Sequence, residues 1–166
     1  LSEALDVFVL TGAIKLFREA RGVRGRLKHH TMLVHESALQ ADQFEKKAEI
    51  LRLWNKASYS TPGAGLSRLR QLFEGDLRQV WAARGKPVGL PYPRTFAELS
   101  PFLGKALDRM RQGVGPVLVV NGSAEADRPD FDAPGNVWKV VVGGAKLSRG
   151  YTIEGLTASY FRRHAK

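Results

Sequence analysis

The chain has 166 residues, 43% of them apolar and 25% charged, which is enough for one domain with a real core. It has no cysteine, which excludes disulfides and thiolate metal sites and fits a reducing, cytoplasmic setting. The net charge of +10 points to polyanionic partners, with a solvated basic surface, or charge balanced by other parts of a longer protein, as the plain alternatives. No stretch approaches the roughly eighteen apolar residues of a membrane span, so no membrane partner is expected. The start at Leu1-Ser2-Glu3 carries no basic leader and reads as the beginning of an excised fragment.

Residues 3–20 read as a helix, with Leu5, Phe8, Val9, Ala13, Leu16, Phe17 and Ala20 on one stripe, ending before Gly22 and Gly25. Residues 31–35 read as a short buried strand. Ser37 and Gln40 make a capping box for a helix over about 38–56, with Phe44, Ala48, Leu51 and Trp54 inward. A turn follows over Tyr59 to Gly65. A third helix is predicted over 66–84, with Leu66, Leu69, Phe73, Leu77, Val80 and Trp81 on one face. Gly85 and prolines 87, 91 and 93 mark a loop. Ser100-Pro101 predicts the next helix start, with Gly113 as its stop. Residues 116–121, 137–142 and 157–161 read as strands. Glu125, Asp127, Asp130 and Asp132 fall in the loop between the first two. The pattern is α/β, a mostly parallel sheet flanked by helices, with a possible helical insertion around 66–112.

The richest stretch for chemistry is 140–163. An apolar β-branched run ends in Gly143-Gly144, and a polar loop with Ser148, Arg149, Gly150 and Thr152 follows. Parallel sheets place chemistry in the loops at the carboxyl ends of their strands. Glycine lets backbone approach a ligand, and arginine offers a planar fork that suits phosphate. This predicts a phosphate or nucleotide site, with a structural clamp and a turn as the plain alternative for Arg149 and Thr152. Asn121-Gly122-Ser123 after a strand offers donors at the same edge, or a simple Asx turn. His35-Glu36-Ser37 ends another strand. Adjacent residues do not face each other as a catalytic triad does, so Ser37 reads as a cap and His35 as a candidate nucleic-acid contact. The acidic loop lacks metal-nuclease spacing, and His29, His30 and His164 are not spaced as a zinc site. The basic run Arg18, Arg21, Arg24, Arg26 and Lys28 would track a phosphate backbone or solvate a helix end. No Gly-x-x-x-x-Gly-Lys-Ser/Thr phosphate loop occurs.

The segment Ser148-Arg149-Gly150-Tyr151-Thr152-Ile153-Glu154-Gly155-Leu156 resembles motif V in the second RecA-like domain of superfamily-two helicases. With Thr152 at the usual aspartate position and Glu-Gly-Leu following, it is most similar to the Z-one domain family, whose name carries an endonuclease label. His30-Thr31-Met32-Leu33-Val34-His35 and Val117-Leu118-Val119-Val120-Asn121-Gly122-Ser123 resemble two further strands of that family. The resemblance implies a RecA-like second motor domain. It implies a nucleotide-dependent, helicase-like protein acting on DNA in restriction or defence, using ATP and Mg in the parent protein. By that resemblance, Gly150, Thr152 and Glu154 would bind nucleotide. Ser148, Arg149, Asn121, Ser123 and His35 would contact nucleic acid. The remainder of the motor would be a partner, because the family's arginine-finger segment lies beyond Lys166. This chain would supply half of the cleft, with no catalytic residue of its own and no metal ligands. The alternatives are a non-enzymatic docking module for nucleic acid or protein, and, third, a Rossmann-like enzyme, for which the glycine spacing is wrong.

Overall fold

Val140, Val141 and Val142 of the third strand, and Met32 and Val34 of the first, are almost wholly removed from solvent. Such near-continuous burial is the mark of parallel strands inside an α/β sheet. The computed structural model describes residues 1–23, 28–35, 40–120, 129–132, 135–143 and 152–161. Its elements are α1 (Ser2–Ala20), β1 (His30–His35), α2 (Gln40–Ala57), α3 (Ala64–Glu74), α4 (Asp76–Val80) and a π-helical turn (Trp81–Gly85). A short 3-10 turn (Lys86–Val88), α5 (Phe96–Arg111), β2 (Val117–Val120), β3 (Trp138–Gly143) and β4 (Leu156–Phe161) complete them. The strands lie in the order β2-β3-β1-β4, and every neighbouring pair is parallel. The α/β class and the parallel sheet expected from the sequence are therefore those of the protein.

Alternation along the strands divides the sheet into two faces. Met32, Val34, Val117, Trp138, Val140 and Val142 share one large core with the buried residues of α1, α2, α3 and α5. Val120 and Val141, with Leu33 against them, form a separate small cluster on the other face. The α1 stripe is buried as expected except for the exposed Ala20. β4 is the outer strand beside β1, and its residues are exposed or at most partly buried.

Three local expectations are corrected. The α2 stripe holds only in its second half: Trp54 is buried and Leu51 packs against the core as expected, but Phe44 is 55% exposed and Ala48 is exposed, and Gln43, Ile50 and Ala57 face inward instead. The single helix over 66–84 is broken at Gly75, whose backbone (φ −94°, ψ −105°) leaves the helical region, and Val80 is exposed. The fifth helix begins at Phe96 rather than at Ser100-Pro101, and Pro101 lies inside it. The Thr95 hydroxyl accepts the Glu98 N–H at 3.2 Å, while the Glu98 carboxylate accepts the Arg94 N–H at 2.7 Å. Thr95-x-x-Glu98 is a capping pattern that outweighs the proline signal. Thr95→Ala should lower stability by about 1 kcal/mol, read as a fall in melting temperature.

The proline-rich loop before α5 is pinned by aromatics. Tyr92 stacks between Phe73 and Trp81, and its hydroxyl donates to the Phe73 carbonyl at 2.8 Å. The Trp81 indole donates to the Leu90 carbonyl at 2.7 Å. The end of α5 is closed by Lys139, whose buried ammonium donates to the carbonyls of Met110, Gln112 and Gly115. A cation there complements the negative end of the helix dipole. Burial nevertheless pushes its pKa down.

Candidate functional site

Because all four strands run the same way, His35, Val120, Gly143 and Phe161 end on one edge of the sheet. His30, Val117, Trp138 and Leu156 begin on the other. Ligands of open α/β sheets collect outside the carboxyl ends of the strands.

At the carboxyl edge His35 stands opposite Phe161 in register, with ring centroids 4.7 Å apart. Its Nδ1 is buried and has no hydrogen-bond partner among the described residues. Five residues later in the chain α2 begins, and in its first turn Gln43 is buried, with Oε1 likewise without a partner among the described residues. Buried polar atoms left unpaired are uncommon and call for a partner, which an ordered water, an ion or a ligand can supply. Gln43 was missed by the sequence reading, which assigned the inner face of α2 to Phe44. The chain leaves β2 and β3 at this same edge, toward the predicted Asn121 and Ser123 and toward Ser148, Arg149 and Gly150. Those five residues lie outside the described ones, as do Ser37, Glu125 and Asp127.

Glu154 sits at the opposite edge. β4 is parallel to β1, so its entry lies beside the start of β1 and not its end. The Glu154 carbonyl accepts the Thr31 hydroxyl at 2.8 Å, and the Gly155 carbonyl accepts the Thr31 N–H at 3.0 Å. Gly155 has φ +66°, and a Cβ there would lie 2.4 Å from the His29 carbonyl carbon and oxygen, so only glycine fits. Thr152 is exposed two residues before Glu154. A six-residue strand separates the two edges by roughly 17 Å. The structure therefore does not bring Glu154 together with His35.

The remaining candidates have structural roles. His30 is fully buried and stacked on Phe8, with ring centroids 4.4 Å apart. Its Nε2 pairs with the Phe8 carbonyl at 2.7 Å and its Nδ1 with the Thr157 hydroxyl at 3.0 Å. In the basic run Arg18 donates to the Pro91 carbonyl, Lys28 to the Phe131 carbonyl, and Arg21 pairs with Glu98 while lying over the Phe17 ring. Arg24 and Arg26 lie outside the described residues. The Asp132 N–H donates to Asp130 in an Asx-type turn. Among the described residues no three His, Asp or Glu side chains are placed to hold a metal ion, and no helix is long and apolar enough to cross a membrane.

Fold and edge geometry thus define an α/β protein with an all-parallel sheet and unpaired buried polar groups at its carboxyl edge. A family model described as Z1 domain matches residues 1–166, and the chain belongs to the Z1 domain family. No curated protein and no solved structure matches the chain.

Proposed function

We propose that this chain is the second RecA-like half of a nucleotide-dependent, helicase-like protein that works on DNA in restriction or defence. The observation that carries the reading is the buried His35 Nδ1 at the carboxyl edge of a parallel sheet, with Gln43 Oε1 in the first turn of the helix that follows, both without a partner among the described residues. A net charge of +10 supports a polyanion as partner. In this reading His35, Asn121, Ser123, Ser148 and Arg149 face nucleic acid, and Gly150 lies at the nucleotide. Glu154 and Thr152, near the other edge, are left to shape the entry to β4.

The fit to ATP is that of a half-site. The carboxyl edge offers a donor-acceptor imidazole and an amide, but the sequence has no phosphate loop to grip the triphosphate. The described residues offer no ligand set for Mg. Phosphoryl transfer needs a phosphate cradle, a metal-holding acid and charge stabilisation. The remainder of the motor protein would have to supply them, and this chain alone should not turn over ATP.

The test is a DNA titration at several salt concentrations. Binding should be weak, independent of sequence and steeply weakened by salt. Arg149→Ala should weaken it, lower the salt slope by about one unit and leave the melting temperature unchanged. A variant that melts lower with the slope unchanged makes Arg149 a structural clamp. No binding by the wild type at low salt favours the non-enzymatic protein-docking module instead.

A further inference from the structure

The amino edge of the sheet holds a cavity of about 740 Å³, lined among others by Lys15, Lys28, His29, Glu154 and Thr157. We propose that this cavity binds the phosphate group of a small ligand, with the His29 Nε2–H and the Lys15 and Lys28 ammonium groups as its donors. The inference is independent of the carboxyl-edge reading, because the two places lie at opposite ends of the strands.

The imidazole carries the argument. His29 is 4% exposed, and its ring meets Phe131 edge to face with centroids 5.2 Å apart. The Val137 N–H donates to Nδ1 at 3.1 Å. A nitrogen that accepts a hydrogen bond holds no proton, so the neutral ring carries its proton on Nε2. Burial is the main reason the ring stays neutral, and Lys28 acts in the same direction. Glu154 and the Phe131 backbone oppose them, and the net pKa is lowered. The fold thus fixes a buried N–H donor that borders the cavity. In hydrogen-bond geometry Nε2 has no acceptor among the described residues, and the Phe131 backbone that raises the ring's pKa stands outside that geometry. The nearest carboxylate oxygen, Glu154 Oε2, stands 3.6 Å away, beyond hydrogen-bond reach. A buried donor left unmade costs about 1–3 kcal/mol, which a bound acceptor would recover.

The other groups select the acceptor. Lys15 Nζ spends one proton on the His29 carbonyl at 2.9 Å, which leaves two for a ligand. Burial lowers its pKa to about 8, so it remains mostly charged at neutral pH. Lys28 adds a second cation, its Nζ held at the Phe131 carbonyl at 3.2 Å. Two ammonium groups and an N–H converging on one cavity suit a tetrahedral anion. Glu154 is the only acid among these lining residues, and its side chain is 51% exposed, so it can turn from the anion to accept a ligand hydroxyl. The volume exceeds a bare phosphate and is that of a small-molecule site.

The experiment titrates the 166-residue chain with inorganic phosphate and with ribose 5-phosphate. Calorimetry reads affinity, and the ¹⁵N shift of the His29 ring reads location. Saturable binding with a shift at Nε2 is expected, tighter for ribose 5-phosphate. Equal affinity for both would assign free phosphate as the occupant. His29→Asn keeps an acceptor for the Val137 N–H but removes the Nε2 donor, and should weaken binding at least tenfold. Glu154→Gln, on the exposed rim, tests the same site without disturbing the buried ring and should tighten phosphate several-fold. Absence of a saturable His29 shift at millimolar phosphate overturns the proposal, because Nε2 then serves only its loose contact with Glu154. Wild-type affinity in a folded His29→Asn variant, or unchanged affinity in Glu154→Gln, also overturns it.

Discussion

Arg68→Met should cost the fold about 3 kcal/mol, because it leaves the buried Asp6 carboxylate without its cation. Asp6 is only 3% exposed although it lies in α1, among the residues that make the core. Arg68 of α3 grips it through two nitrogens, Nε to Oδ2 at 2.7 Å and Nη2 to Oδ1 at 3.2 Å. The Tyr59 hydroxyl, from the turn between α2 and α3, donates to Oδ1 at 2.7 Å. The first helix is thereby tied to a turn and a helix more than fifty residues further along the chain. The Asp6 hydrogen bond is the main cause that raises the Arg68 pKa. Burial and then that same carboxylate raise the Tyr59 hydroxyl far above its usual range. Both partners therefore keep their protons and stay donors to the carboxylate. Arg68 is itself 38% exposed and returns to water when the bond breaks, so the loss falls mainly on the carboxylate left behind. For a chain of this size the loss corresponds to a fall of roughly 6–12 °C in melting temperature. Asp6→Asn combined with Arg68→Met should recover part of it, since an amide is less costly to bury than a charge. A double variant no more stable than Arg68→Met would show that the arginine acts through packing and not through charge.

Long-range ties of this kind mark the limit of what the sequence shows. Helix periodicity in α1 and the apolar runs of β1, β2 and β3 place the core strands and the first helix, because burial acts on every residue of an element. Asp6 interrupts the apolar stripe of α1 without any local sign that Arg68 answers it across sixty residues of chain. The phase of α2 is set by which face meets β2 and β3, and Phe44 offers as good a local stripe as Ile50. Gly75 is a breaker by composition, but the apolar spacing continues beyond it and masks the break. Thr95-x-x-Glu98 was equally legible, a capping box standing beside a proline signal that drew more weight. Of the proposed site, the strand ends and His35 could be read from the chain. Gln43 could not, because an unpaired buried amide is a property of packing. The edge occupied by Glu154 follows only from strand order: once β4 pairs parallel with β1, the residue before it belongs to the amino edge.

Stability should fall by about 2 kcal/mol between pH 7 and pH 5 through His30 alone. Burial is the chief cause that lowers its pKa, to about 3 from an ordinary 6.5. The Lys15 charge adds to it, and the hydrogen bond to Phe8 opposes. The native state therefore holds the ring neutral, sandwiched by Phe8 and Trp138, while the unfolded chain takes up a proton below pH 6.5. With the unfolded state binding more protons, the stabilising contribution is complete above that pH. It is lost as the pH falls toward 3, at up to roughly 1.4 kcal/mol per pH unit. His29, shifted in the same direction, steepens the decline. The carbonyl of Phe8 and the hydroxyl of Thr157, which can also donate to the Gly155 carbonyl, hold the two ring nitrogens of His30 in place. Urea unfolding at pH 7, 6 and 5 reads the slope directly. His30→Gln keeps a polar side chain between Phe8 and Thr157 but cannot titrate. It should be less stable than wild type at pH 7 and flatter with pH, so that the two curves converge on acidification. A glutamine variant that retains the full wild-type slope would move the acid sensitivity away from His30 and onto His29 or the carboxylates.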